Sequence, residues 1–113
     1  MRKPLRSIKI VVRGFNINCH LVNDKEFESK HKDDKFSAMT LWETKSIEFK
    51  ASKLTESLVR HEMLHIFFYA SLTETADIDN LAVEECIAEM FAHFGPEMIL
   101  LSNKVYKTLN KEK

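Results

Sequence analysis

Between Leu58 and Leu72 the chain is apolar almost without a break, and this run most restricts the folds open to it. Leu58, Val59, Met63, Leu64, Ile66, Phe67, Phe68, Ala70 and Leu72 spread round nearly the whole circumference when placed at about 100° per residue. Only Arg60 and Ser71 interrupt them on the far side. A helix apolar nearly all round is buried by its neighbours, so the rest of the chain is expected to wrap this one. Ser52 or Thr55 offers the cap at its start.

Three polar residues sit inside the run, as His61-Glu62-Met63-Leu64-His65. The histidines, four residues apart, fall about 40° from each other on one flank, which lets both imidazoles reach one ion. This is the H-E-x-x-H form in which two histidines bind zinc and the intervening glutamate activates water. With the composition of this chain, the string is expected by accident about 0.02 times. Burial adds a constraint, because a buried carboxylate without a partner costs several kcal/mol or changes its protonation. Glu62 therefore needs a partner, and a metal with its bound water supplies one for the trio. The alternative is a pair of core histidines bonded to backbone groups, with Glu62 at a helix edge.

The remaining sequence predicts an α+β fold, a small N-terminal antiparallel or mixed sheet followed by three helices. At 113 residues it is expected to form one domain, 1–113, around one core. Ile8, Ile10 and Val12 alternate with Lys9 and Val11, Gly14 marks a turn, and Phe15, Ile17, Cys19 and Leu21 alternate again, predicting a hairpin. The stretch from Asn23 to Lys35 is dense in charge and reads as a polar loop or short exposed helix. Strands follow at about Ser37 to Trp42 and Ser46 to Phe49, joined by Glu43-Thr44-Lys45. After the apolar helix, Thr73 to Asp79 reads as a linker, with Asp79 capping a helix from Asn80 to Phe94. Gly95-Pro96 is expected to end that helix and start a third, reaching Asn110.

Charge and cysteine usage narrow the partners. Seventeen basic and seventeen acidic residues cancel, so no strong field recruits nucleic acid or an anionic membrane. Cys19 and Cys86 form no paired motif and read as reduced, buried thiols. The basic start, Met1 to Arg6, precedes an apolar stretch too short for a signal segment, and no run has transmembrane length. A cytoplasmic location is expected. The oligomeric state is left open by the sequence.

A catalytic zinc takes about three protein ligands and keeps one position for water. On the helix after Asp79, the bulky Val83, Cys86, Ile87, Met90, Phe91 and Phe94 form one face. Glu85 and Glu89, one turn apart, project from the other among Ala82, Ala88 and Ala92. Small residues let two helices approach closely, which suits a carboxylate reaching a neighbouring metal. Position alone fits a solvated face equally well.

Leu58 to Phe67 resembles the active-site helix of the zincin metallopeptidases. In their gluzincin branch the third zinc ligand is a glutamate about twenty residues past the second histidine, and another acidic residue one turn on orients a ligand histidine. In this chain those positions are Glu85 and Glu89. Val83 to Ala92 is also similar to the glutamate helix of short HExxH metallopeptidases of phages and integrated elements, whose layout matches nearly the whole chain. The resemblance implies a minimal zincin-like domain that binds one Zn2+ per chain through His61, His65 and Glu85. Glu84 replaces Glu85 if the helix register differs. Glu62 would be the general base in hydrolysis of a peptide or protein substrate, and Glu89 would orient a ligand. Tyr69 and His93 are the candidate oxyanion stabilisers. An edge strand, at Met39 to Trp42 or Ile47 to Phe49, would pair with an extended peptide. The rival reading is a non-catalytic binding or regulatory module with a structural metal.

Overall fold

The computed structural model describes residues 4–31, 36–72 and 80–111, without the side chains of 71, 72, 80–84 and 86. The expected linker from Thr73 to Asp79, with its cap, and the side chains of Val83 and Cys86 lie outside the described residues. The fold is α+β, as expected. Strands β1 (Arg6–Val12) and β2 (Phe15–Val22) are followed by helix α1 (Asp24–His31), then β3 (Ala38–Leu41) and β4 (Ser46–Lys50). A 3-10 turn (Ala51–Lys53) leads to α2 (Glu56–Leu72), and α3 (Asn80–Leu109) completes the described chain.

The predicted hairpin forms. Ile8 faces Cys19, Ile10 faces Ile17 and Val12 faces Phe15, which places the alternating apolar residues on one side of the sheet. Arg13 and Gly14 make the two-residue turn with φ of 50° and 89°. A tight hairpin whose twist matches its strands needs positive φ at both central positions, and glycine fills one of them without strain. The other is Arg13, whose guanidinium lies 4.5 Å from the centroid of the Phe94 ring on α3.

The sheet order is β1-β2-β4-β3, with β2 and β4 parallel and the other two pairs antiparallel. Consequently β4 is internal and β3 is an edge. Ile47 and Phe49 of β4 are fully buried in the core under α2 and α3, while Glu48 and Lys50 point to the opposite face. There α1 covers them. Glu48 accepts from Lys30 and pairs with His31 at 2.7 Å, and Lys50 pairs with Glu28. Within the charged segment expected as a polar loop or short exposed helix, Asp24–His31 is thus a helix with one buried face, which buries its own Phe27 and sits on two buried charges.

Burial alone would push the Glu48 carboxyl up, but the hydrogen bonds and positive charge of Lys30 and His31 outweigh it and hold the group below its ordinary value. A carboxylate held low stabilises the fold fully above its unfolded value of 4.5 and loses that contribution as pH falls through the folded value. Glu48→Gln is therefore expected to melt lower than wild type at neutral pH. The gap between the two melting curves should close on acidification below about pH 4.5. Parallel curves across that range would remove Glu48 from the account of α1 docking.

The C-terminal half departs from expectation. Gly95-Pro96 does not divide it, and α3 runs as one helix of 30 residues with Pro96 inside. Proline there lacks the N–H that would bond to the Ala92 carbonyl, a cost of about 3 kcal/mol in a helix interior. The apolar stripe offsets it. Met90, Phe94, Met98, Leu101, Val105 and Leu109 recur at three- and four-residue steps straight through the proline and pack on the core. Gly95 is buried, and the Phe91 ring lies 3.6 Å from where a side chain would begin. The described residues still form three α-helices, but one is α1, ahead of β3, and the two predicted after Asp79 are one. Among the described residues, no helix is long and apolar enough to cross a membrane.

Candidate metal centre

Helix α2 starts where Thr55 accepts the Leu58 N–H on its hydroxyl at 3.1 Å, so Thr55 is the cap. The Ser52 N–H is instead bonded to Asp24. From this start, Val59, Glu62, Met63, Ile66, Phe67 and Ala70 are buried at helical spacing under the sheet and α3. The helix is not enclosed all round as its composition suggested. The four strands and α3 cover it from two sides, and the arc carrying His61, Leu64 and His65 faces solvent.

That open arc holds the cluster. The His61 and His65 Nε2 atoms are 3.3 Å apart, with the rings nearly perpendicular at 73°. Two nitrogens bound to one tetrahedral zinc at the usual bond length are separated by roughly 3.3 Å, so the two imidazoles hold the bite a zinc ion requires. The same spacing is compatible with a hydrogen bond between a donor and an acceptor tautomer. Glu62 lies beneath the pair, only 6% exposed. Its Oε1 accepts from the Thr40 hydroxyl at 2.7 Å, and its Oε2 is 3.8 Å from His61 Nε2. Ligand atoms of His61, Glu62 and His65 all lie within 4.8 Å of one another. Burial of Glu62 predicted a partner for it, and the structure supplies Thr40. The sequence carried no mark of that residue, because its role depends on which strand lies beside α2.

The remaining predicted residues are elsewhere. Glu85 is exposed and does not join the cluster. The reason is which face of α3 meets α2. Phe94 packs beside Phe67, and Ile87 and Phe91 line a cleft of about 330 Å³ with Leu64 and Arg60. Met90 is buried and Phe94 packs against the core, so their side of α3 is the one turned inward, while Ile87 and Phe91 stay partly open to solvent. Helical periodicity places Glu85 about 160° round α3 from Ile87. Glu89 does not orient either ligand histidine. It pairs with His93 at 3.1 Å on the solvent side, so His93 also lies away from the cluster. Tyr69, one turn past His65, stacks on Trp42 with 5.9 Å between centroids, and Trp42 meets Phe15 edge-on at 5.1 Å. His31 is taken up by Glu48, and His20 pairs with Ser7 at 2.6 Å. Cys19 is free and fully buried, and burial pushes its thiol up to about 12, which leaves it unreactive.

The surroundings of the cluster are directional. β3 runs alongside α2, with Thr40 level with Glu62, Trp42 near Tyr69, and Ala38 at the other end. At that other end an open groove of about 570 Å³ is lined by His61, Glu62, Ala38, Leu58, Phe36 and Lys53. The outer edge of β3 borders this groove. Lys50 N–H bonds to Ser37 C=O, so the hydrogen-bonded pairs toward β4 are those of Ser37, Met39 and Leu41. Ala38 and Thr40 accordingly turn their backbone N–H and C=O groups to the open edge. Of the two strand segments expected to meet a peptide, only the one in β3 has an edge to offer.

Comparison with protein-family models, with curated proteins and with solved structures returns no match. The site has to be interpreted from its own geometry.

Proposed function

We propose that this chain is a small zinc-dependent metallopeptidase of the gluzincin-like zincin kind, with His61 and His65 as metal ligands and Glu62 as general base. The observation that carries the reading is the 3.3 Å separation of the two Nε2 atoms directly above a buried carboxylate fixed from behind by Thr40. His61 and His65 would hold a divalent ion, which would supply a bound water of lowered pKa and polarise a carbonyl. His and Glu donors suit zinc, and other divalent ions of the same series compete for them.

The chain's own residues supply the rest. Thr40 donates to one Glu62 oxygen, which leaves the other to take a proton and return it to a leaving amine. A peptide substrate lies extended on the open edge of β3, bonded to the backbone groups of Ala38 and Thr40, with its scissile bond near Thr40. Tyr69, held by Trp42, borders the site on the side past His65. For Glu85 to serve as a third protein ligand, the first turns of α3 must rotate relative to this structure, in which its side chain is exposed and outside the cluster. The setting is cytoplasmic, in keeping with the free thiol of Cys19.

The exposed position of Glu85 favours a second reading, a metal-holding module with no peptidase activity. One experiment separates them: incubation of the zinc-loaded chain with a peptide mixture, beside Glu62→Gln. Fragments formed by wild type and not by the variant support the hydrolase. An intact mixture with metal bound supports the module.

A further inference from the structure

We propose that the groove leading away from His61 and Glu62 selects substrates bearing a carboxylate about two residues beyond the scissile bond, with Lys53 as its partner. This selectivity rests on the peptidase reading and adds the substrate class to it. The groove starts at the candidate metal centre, and Lys53 is the one lysine or arginine lining it among the described residues. Phe36 and Leu58 provide apolar wall, and Ser37, Thr55 and Ser57 bring hydroxyl groups. Glu62, its other ionisable lining residue besides His61, lies at the catalytic end. The end away from the reaction therefore carries this cation, beside the N-terminus of α2, where Glu56 of the first turn is paired with Arg60. Asp24, bonded to the Ser52 N–H, keeps its charge and interacts with Lys53, so it offsets part of this attraction without lining the groove.

Strand direction fixes which side of the substrate this is. β3 runs from Ala38, at the groove, to Leu41, toward Trp42 and Tyr69. A peptide added antiparallel, the more stable of the two pairings, points its C-terminal part at Ala38 and Lys53. Thr40 is two residues from Ala38, roughly 7 Å along the strand, so the second residue past the scissile bond lies beside Ala38, in the groove that Lys53 lines. The carboxylate belongs either to an Asp or Glu side chain at that position or to the C-terminus of a peptide ending there.

The test uses one extended peptide in four forms. It carries Glu, Gln or Lys at the second residue after the cut, or ends at that residue with a free C-terminus in place of an amide. Binding to the zinc-loaded chain is measured by fluorescence anisotropy alongside cleavage. An exposed ion pair is worth up to about 1 kcal/mol, so the Glu form is expected to bind up to about five-fold more tightly than Gln, and Lys more weakly than both. Lys53→Glu should reverse that order and Lys53→Met should level it, with the melting temperature unchanged because Lys53 is exposed. A matching gain on freeing the C-terminus assigns the groove to the chain end, and a gain confined to the Glu side chain assigns it to an internal acidic residue. Equal binding of the Glu, Gln and Lys forms with no gain on freeing the C-terminus, or an order unmoved by Lys53→Glu, overturns the inference. Binding ranked by charge without cleavage sustains the groove and fails the peptidase. Cleavage indifferent to charge does the reverse.

Discussion

Glu62→Gln is expected to lower peptide cleavage by about 10²- to 10⁴-fold, the range general-base catalysis contributes, while zinc stays bound. The substitution is close to isosteric. The carbonyl of the new amide still accepts from Thr40, so β3 keeps its link to α2 and the two imidazoles keep their 3.3 Å spacing. What is lost is the oxygen that takes the proton. The loss should fall on kcat rather than KM, because in the proposed mechanism Glu62 acts on the attacking water and not on a peptide backbone along β3. Thr40→Val serves as the graded control. It removes the hydroxyl that fixes the carboxylate and leaves the base itself, so its effect should be smaller than that of Glu62→Gln. Undiminished cleavage by Glu62→Gln would overturn the mechanism.

Phe67→Ala is expected to cost about 3–5 kcal/mol of stability. Phe67 is fully buried and joins α2 to α3 through Phe94, with ring centroids 6.3 Å apart. Deleting it opens a cavity where the two helices and the sheet meet, and a domain of this size has only about 5–15 kcal/mol of total stability. The melting temperature should fall by about 10–20 °C. Because His61 and His65 belong to the helix that Phe67 anchors, saturating zinc should recover part of the fall, as any ligand of the folded form alone must. A shift under about 4 °C would mean that α2 is held by contacts other than those described.

What is legible in the sequence is local. The hairpin follows from alternation at Ile8, Ile10 and Val12 and at Ile17, Cys19 and Leu21, with Gly14 between them, and the observed pairing sets Ile8 against Cys19 and Ile10 against Ile17. The His61–His65 pair also needs only helix geometry, since four residues of spacing bring the rings together whatever lies around them. Glu62 announces its burial through its neighbours. Its partner Thr40 stands 22 residues away on a strand whose place beside α2 no periodicity encodes. The same limit applies to Glu85. Its distance from His65 along the chain suits a ligand, yet the face of α3 that meets α2 is decided by competition between apolar side chains across two helices. Glu48 and Lys50 look like the wet side of a strand, and α1 looks like exposed charge; each is explained only by the other. Pro96 misleads in a different way. The stripe from Met90 to Leu109 passes through it without a change of phase, a signal present in the sequence and stronger than the proline.

Whether His61 and His65 form one metal site is tested most directly by a zinc titration of the purified chain by calorimetry, with bound metal counted after dialysis. About one ion per chain is expected for wild type, with binding lost in His61→Ala and in His65→Ala and kept in Glu62→Gln. Failure of the wild-type chain to take up zinc, or equal uptake by a chain lacking both histidines, would contradict the site.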